Sequence, residues 1–158
     1  MSKLKQFFDL NTRDRWLFLH AFFSLPIIEL GIRVFGLKKA MGFLAVKKPA
    51  NASPDERLAE TALHEASLIR TAARNTPLPA RCVARTLYQW RRLLKQGEET
   101  TVCIGMDQAN DTGFHAHAWL EHDGVVLNDD PSAISSFQTV RLARDLDSNQ
   151  NRVIEREK

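Results

Sequence analysis

Cysteine is scarce in this chain: Cys82 and Cys103 are the only two in 158 residues. Two thiols do not make a disulfide framework, and a chain this long buries enough apolar surface without one. A reduced, cytoplasmic setting is expected. Tyrosine occurs once, and basic residues are not interleaved with aromatics, which argues against a nucleic-acid surface. No zinc-finger spacing, phosphate loop or GxGxxG occurs, so neither a nucleotide cofactor nor a structural metal is expected. The charge excess is small, a formal +3. It permits an acidic partner or a membrane surface and demands neither. A signal peptide is not expected either, because the start is mostly polar and no small-residue cleavage site follows the apolar run.

The most apolar stretch is WLFLHAFFSLPIIELGI, residues 16–32. A spanning helix needs about 20 apolar residues with few charges. This run is shorter and contains His20, Pro26 and Glu29. It predicts a helix, broken near Pro26, that packs on the domain or a partner. Arg13, Arg15, Arg33, Lys38 and Lys39 flank it, which leaves peripheral membrane contact open. We take residues 1–48 as an apolar helical segment, 49–146 as the core and 147–158 as a polar tail.

KKPANASP reads as a loop ending in a helix start, with Ser53 as N-cap, Pro54 in the first turn and Glu56 completing a capping box. That helix runs to about Asn75, burying Leu58, Ala62, Ala66, Ile69 and Ala73, with His64 at the surface. A second helix is predicted from about Pro79 to a C-cap at Gly97, with Val83, Leu87, Trp90 and Leu94 as its buried stripe. The period then changes. TTVCIGM is a buried strand, and FHAHAWLEH and VVLND are strands joined at Asp123-Gly124. Residues 133–146 form a short helix or a last strand. Helices followed by a small antiparallel sheet make an α+β fold.

Cys82 falls near the start of its helix, where unpaired N–H groups and nearby arginines favour a thiolate. Cys103 sits among Val102 and Ile104 and reads as core. A cysteine nucleophile needs a base and the base an orienting group. His115, His117, Trp119 and Glu121 share one strand face, and His117 is mid-strand. A His115-x-His117 metal pair finds no third ligand at plausible spacing. Turn length decides the carboxylate. A three-residue turn puts Asp129 opposite His117, and a two-residue turn puts Asp130 there. Both stay open on the residues alone.

The order of cysteine at a helix start, histidine on a strand and aspartate after a hairpin resembles the transglutaminase-like cysteine fold. CVARTL, KQGEETTVCIGM and AHAWLEHDGVVLND together are similar to the lasso-peptide leader peptidases, over about Leu17 to Pro131. The resemblance implies Cys82 as nucleophile, His117 as general base and then acid, and Asp129 as the orienting carboxylate, with Asp130 the alternative. It implies no cofactor. Its implied partners are a ribosomal precursor peptide, a leader-binding RiPP recognition element supplied by a separate protein, and a macrolactam synthetase. An acyl transferase on the same fold and a non-catalytic scaffold are the competing expectations.

Overall fold

The computed structural model describes residues 8–47, 49, 57–107, 115–135 and 137–142. The expected capping box at 53–56 and the polar tail lie outside them. Among the described residues four helices precede the strands: α1 (Thr12–Phe35), α2 (Leu37–Leu44), α3 (Leu58–Asn75) and α4 (Cys82–Gln96). Then follow β1 (Thr101–Asp107), β2 (His115–His122), β3 (Val125–Val126), the short α5 (Pro131–Ile134) and β4 (Gln138–Leu142). The strands form one antiparallel sheet in the order β3-β2-β1-β4. The α+β expectation holds.

Helix α1 starts at Asn11, whose side chain accepts from the Asp14 N–H at 2.8 Å. It does not break at Pro26, contrary to the sequence reading, but runs through it. The proline costs a helical hydrogen bond, on the order of 3 kcal/mol. Leu17, Ala21 and Leu25 before it and Ile28 after it are buried on one face. Burying a large apolar side chain stabilises by about 1.5–3 kcal/mol, so packing on both sides of the proline outweighs the loss.

Helix α3 buries the five predicted residues, Leu58, Ala62, Ala66, Ile69 and Ala73. Its exposed His64 meets the buried Asp14 of α1 at 3.0 Å. Glu65 is also buried and takes two hydrogen bonds from Arg92 of α4, at 2.8 and 3.2 Å.

Helix α4 is the centre of the molecule. Beyond Leu87, Trp90 and Leu94, it also buries Ala84, Thr86, Tyr88, Gln89 and Leu93, while Val83 is half-buried. Its partners are α1, α3 and the sheet, so the single predicted stripe was too narrow. The helix begins at Cys82 itself and not near Pro79. Arg81, just before it, is extended, and its backbone N–H donates to Glu29 Oε2 at 3.1 Å. The helix ends where Gly97 takes a left-handed conformation with φ 90°, which a residue with a Cβ resists.

The β2–β3 hairpin has the two-residue turn Asp123-Gly124. Glu121 pairs with Val126 and His122 with Val125, and both turn residues have positive φ. Such a turn matches the twist of the flanking strands. Residues 131–142 hold both a helical turn and the last strand.

Glu29 is 3% exposed and joins α1 to the start of α4. It also accepts from Arg33 Nε at 3.0 Å. Glu29→Ala removes the acceptor of the Arg81 N–H and lowers stability by about 2 kcal/mol, read by urea unfolding. Glu29→Gln keeps an acceptor and loses less.

Candidate active site

Three elements bring chemistry to one cleft. The start of α4 supplies Cys82 and Arg85, β2 supplies His117, and the segment after β3 supplies Asn128 and Asp129; Arg70 of α3 lies on the far wall. Cys82, His117 and Asp129 thus come together. His117 Nε2 donates to Asp129 Oδ2 at 2.6 Å, and the same imidazole hydrogen-bonds with the Cys82 thiol. Cys82 Sγ lies 3.8 Å from the Ala116 carbonyl of β2.

The register argument needs a correction. A two-residue turn was expected to put Asp130 opposite His117, yet Asp129 takes that place. The ladder does not run that far. Its last backbone bond is from the Leu127 N–H to the Leu120 carbonyl, 2.9 Å. At the next position Asn128 replaces the ladder with its side chain, whose Oδ1 accepts from the Leu120 N–H at 2.8 Å. The chain leaves the sheet there, and strand alternation stops applying. Asp130 turns away and caps α5, accepting from the Ser132 N–H at 2.9 Å.

Two residues without an assigned role hold this arrangement. Thr86, one turn after Cys82, donates to the Ala118 carbonyl at 2.9 Å, and Asn128 Nδ2 donates to Thr86 Oγ1 at 3.3 Å. Both side chains are buried. Asn128 was visible in the ND pair, but nothing in the sequence connects it to Thr86, 42 positions earlier. Phe137 was missed as well. Its ring centroid is 5.7 Å from that of His117, while Trp119 stacks on His117 at 6.2 Å.

The electrostatics favour an ion pair. Burial pushes the Cys82 thiol up, but the hydrogen bond and charge of His117, with backbone groups of Ala118 and Val83, bring it below its ordinary value. His117 is raised, first by its hydrogen bond to Cys82, against the lowering by burial, and further by the hydrogen bond and charge of Asp129. Arg85 is lowered by burial first, and feels Cys82 and Asp129 as well as Arg70 and Arg74. Arg70 Nη2 is 4.0 Å from Asp129 Oδ1. At the helix start the first intrahelical bond is from the Arg85 N–H to the Arg81 carbonyl, 3.2 Å. The N–H groups of Cys82, Val83 and Ala84 therefore have no helical acceptor.

Cys103 is fully buried, and burial foremost, with Glu121 beside it, pushes its thiol up to about 12. His115 pairs with Asp107 across β1 and β2. Among the described residues no three His, Cys, Asp or Glu side chains are grouped to hold a metal ion.

Iodoacetamide should therefore modify Cys82 at a pH below the ordinary thiol range, while Cys103 reacts only after unfolding. In His117→Ala, which removes the groups that lower the thiol, the labelling profile moves to higher pH. Asn128→Leu strands the buried Leu120 N–H and costs about 2 kcal/mol. It also frees Asp129, so the same labelling profile shifts upward.

A helix that begins on a thiol, a strand histidine and a carboxylate just beyond a hairpin form one spatial unit in this chain. The transglutaminase-like superfamily profile matches residues 25–142, which include all of these elements and Glu29. No curated protein and no solved structure matches the chain. The profile covers well over half of the sequence, and the α+β fold agrees with it: the chain belongs to the transglutaminase-like superfamily.

Proposed function

We propose that this protein is a cysteine peptidase that removes the leader from a ribosomally made lasso-peptide precursor. The observation that carries the reading is His117 held between Cys82 and Asp129, with the shifts of both thiol and imidazole favouring the charged pair. The CVARTL and AHAWLEHDGVVLND motifs supply the substrate class.

In this reading the Cys82 thiolate attacks the carbonyl carbon of the scissile peptide bond, and the oxyanion forms near the Cys82 N–H, which has no helical acceptor. The His117 imidazolium gives its proton to the leaving nitrogen. The C–N bond breaks, releasing the core peptide with a free α-amine and leaving the leader as a thioester on Cys82. His117, now neutral, takes a proton from water as that water attacks the thioester. The leader departs as a carboxylic acid and the charged pair returns. Asp129 keeps the imidazole oriented and stabilises its cationic form.

The partners in this reading are the precursor, a separate leader-binding protein and a macrolactam synthetase that uses the freed amine. The described strands all belong to the sheet that carries His117, which is consistent with leader recognition by another protein.

The test is cleavage of the precursor, with and without its leader-binding protein, read by mass spectrometry. Wild type yields free leader acid, and Cys82→Ala loses at least about 10³-fold in rate. Leader found as an adduct of an amine or thiol would make the enzyme an acyl transferase instead. The rate rises with pH as Cys82 ionises, at a lowered pH, and falls as His117 deprotonates, at a raised one. Asp129→Asn removes a charge that raises His117, so the alkaline limb moves to lower pH.

A further inference from the structure

The outward face of α1 has no partner among the described residues. Trp16, Leu19, Phe23, Ile27, Leu30 and Val34 are all exposed, between 46% and 71%. Their spacing of three and four puts them in one line along the helix. At 1.5 Å per residue, the line from Trp16 to Val34 is about 27 Å long. Phe43 of α2 extends it, packing edge-on against Phe35. No charge interrupts the line, and both acidic residues of α1, Asp14 and Glu29, are buried on the other side.

Basic residues mark both ends. Arg13 and Arg15 lie at the start of the helix, and Arg33, Lys38 and Lys39 at its end. This arrangement disfavours a second copy of the chain. Two such faces in contact set cation against cation whether the helices run parallel or antiparallel. It suits an anionic bilayer, whose headgroups meet the basic ends while the acyl region receives the aromatic and aliphatic line. The helix is long and apolar enough to cross a membrane by length and composition. Its inner face, however, is the protein core: Leu17, Ala21, Leu25 and Ile28 are buried. Crossing would strip that face from α3 and α4.

We propose that α1 lies in the plane of an anionic membrane surface, with its outer face in the lipid and its inner face on the protein core. This holds whatever reaction Cys82 performs.

Tryptophan emission makes this measurable. Of the three tryptophans, Trp90 and Trp119 are buried, and Trp16 is 68% exposed. The full-length protein is mixed with vesicles of phosphatidylcholine, either pure or with about one quarter phosphatidylglycerol, and followed by flotation. The expected result is co-flotation with the anionic vesicles, a blue shift of the Trp16 emission, and release at about 0.5 M salt. The double variant F23E/I27E stays in solution, and K38E/K39E binds at least about thirtyfold more weakly. These side chains are at the surface, and unchanged thermal melting verifies the fold of each variant. Three outcomes overturn the proposal: no flotation, equal binding to both vesicle types, or a wild-type dimer that F23E/I27E dissolves. The last would assign the face to protein association.

Discussion

The site depends on one open edge of β2. Strand β3 is only two residues long, and its ladder ends at the Leu127–Leu120 bond. Beyond that point the groups of Ala116, Ala118 and Leu120 that point away from β1 have no neighbouring strand. Buried backbone polar groups left unpaired cost about as much as lost hydrogen bonds. Ala118 and Leu120 are buried and Ala116 is exposed, and site residues meet a group of each. The Ala116 carbonyl faces the Cys82 thiol, the Ala118 carbonyl takes the Thr86 hydroxyl, and the Leu120 N–H is accepted by Asn128. Satisfying the sheet edge and assembling the site are therefore the same event. A longer β3 would complete the sheet and exclude α4 from it.

This construction also explains the balance of charges at Cys82. Pressing a helix start against a strand edge buries the thiol, and burial alone would keep it protonated. The same contact brings in His117 and the backbone groups that favour the thiolate, and these prevail. Cys103 is the internal control. It is a cysteine in the same sheet, buried without a cation hydrogen-bonded to the sulfur as its main influence, and its thiol goes up instead of down. Position within the fold decides in which direction each thiol is shifted.

The parts of this architecture that follow from local periodicity were readable in the sequence. The buried face of α3, the Gly97 stop, the β1 and β2 strands and the Asp123-Gly124 turn all follow from spacing and turn chemistry. The parts that depend on a distant partner were not. Pro26 looked like a break because the α1 core contacts that override it come from other helices. The start of α4 looked three residues early because Glu29, 52 positions away, fixes the Arg81 N–H. Counting along an ideal hairpin left Asp129 and Asp130 both open, and for the two-residue turn that forms it gives Asp130, since no local signal says that Asn128 ends the ladder with its side chain. The family resemblance pointed to Asp129 and so carried information that strand geometry alone did not.

One further constraint sets the orientation of the imidazole. An imidazole that turned over would put Nδ1 on the carboxylate and lose the bond from Nε2. Gly105 lies directly opposite His117 in the sheet. A Cβ at position 105 would stand 2.5 Å from Phe137 Cβ and 2.8 Å from the Trp119 ring. The missing side chain is thus the space into which Trp119 and Phe137 close. Trp119 is itself fixed, because its indole N–H donates to Glu121 at 2.9 Å, and Glu121 in turn accepts from Arg141 of β4. The two rings flank His117 and restrict its rotation, while Asp129 fixes one nitrogen. Alternation along β2, which sends Ala118 and Leu120 to the helices, sends His117 and Trp119 to this aromatic layer. Both faces of one strand are therefore needed: one to dock the helix that carries the thiol, the other to hold the histidine that meets it.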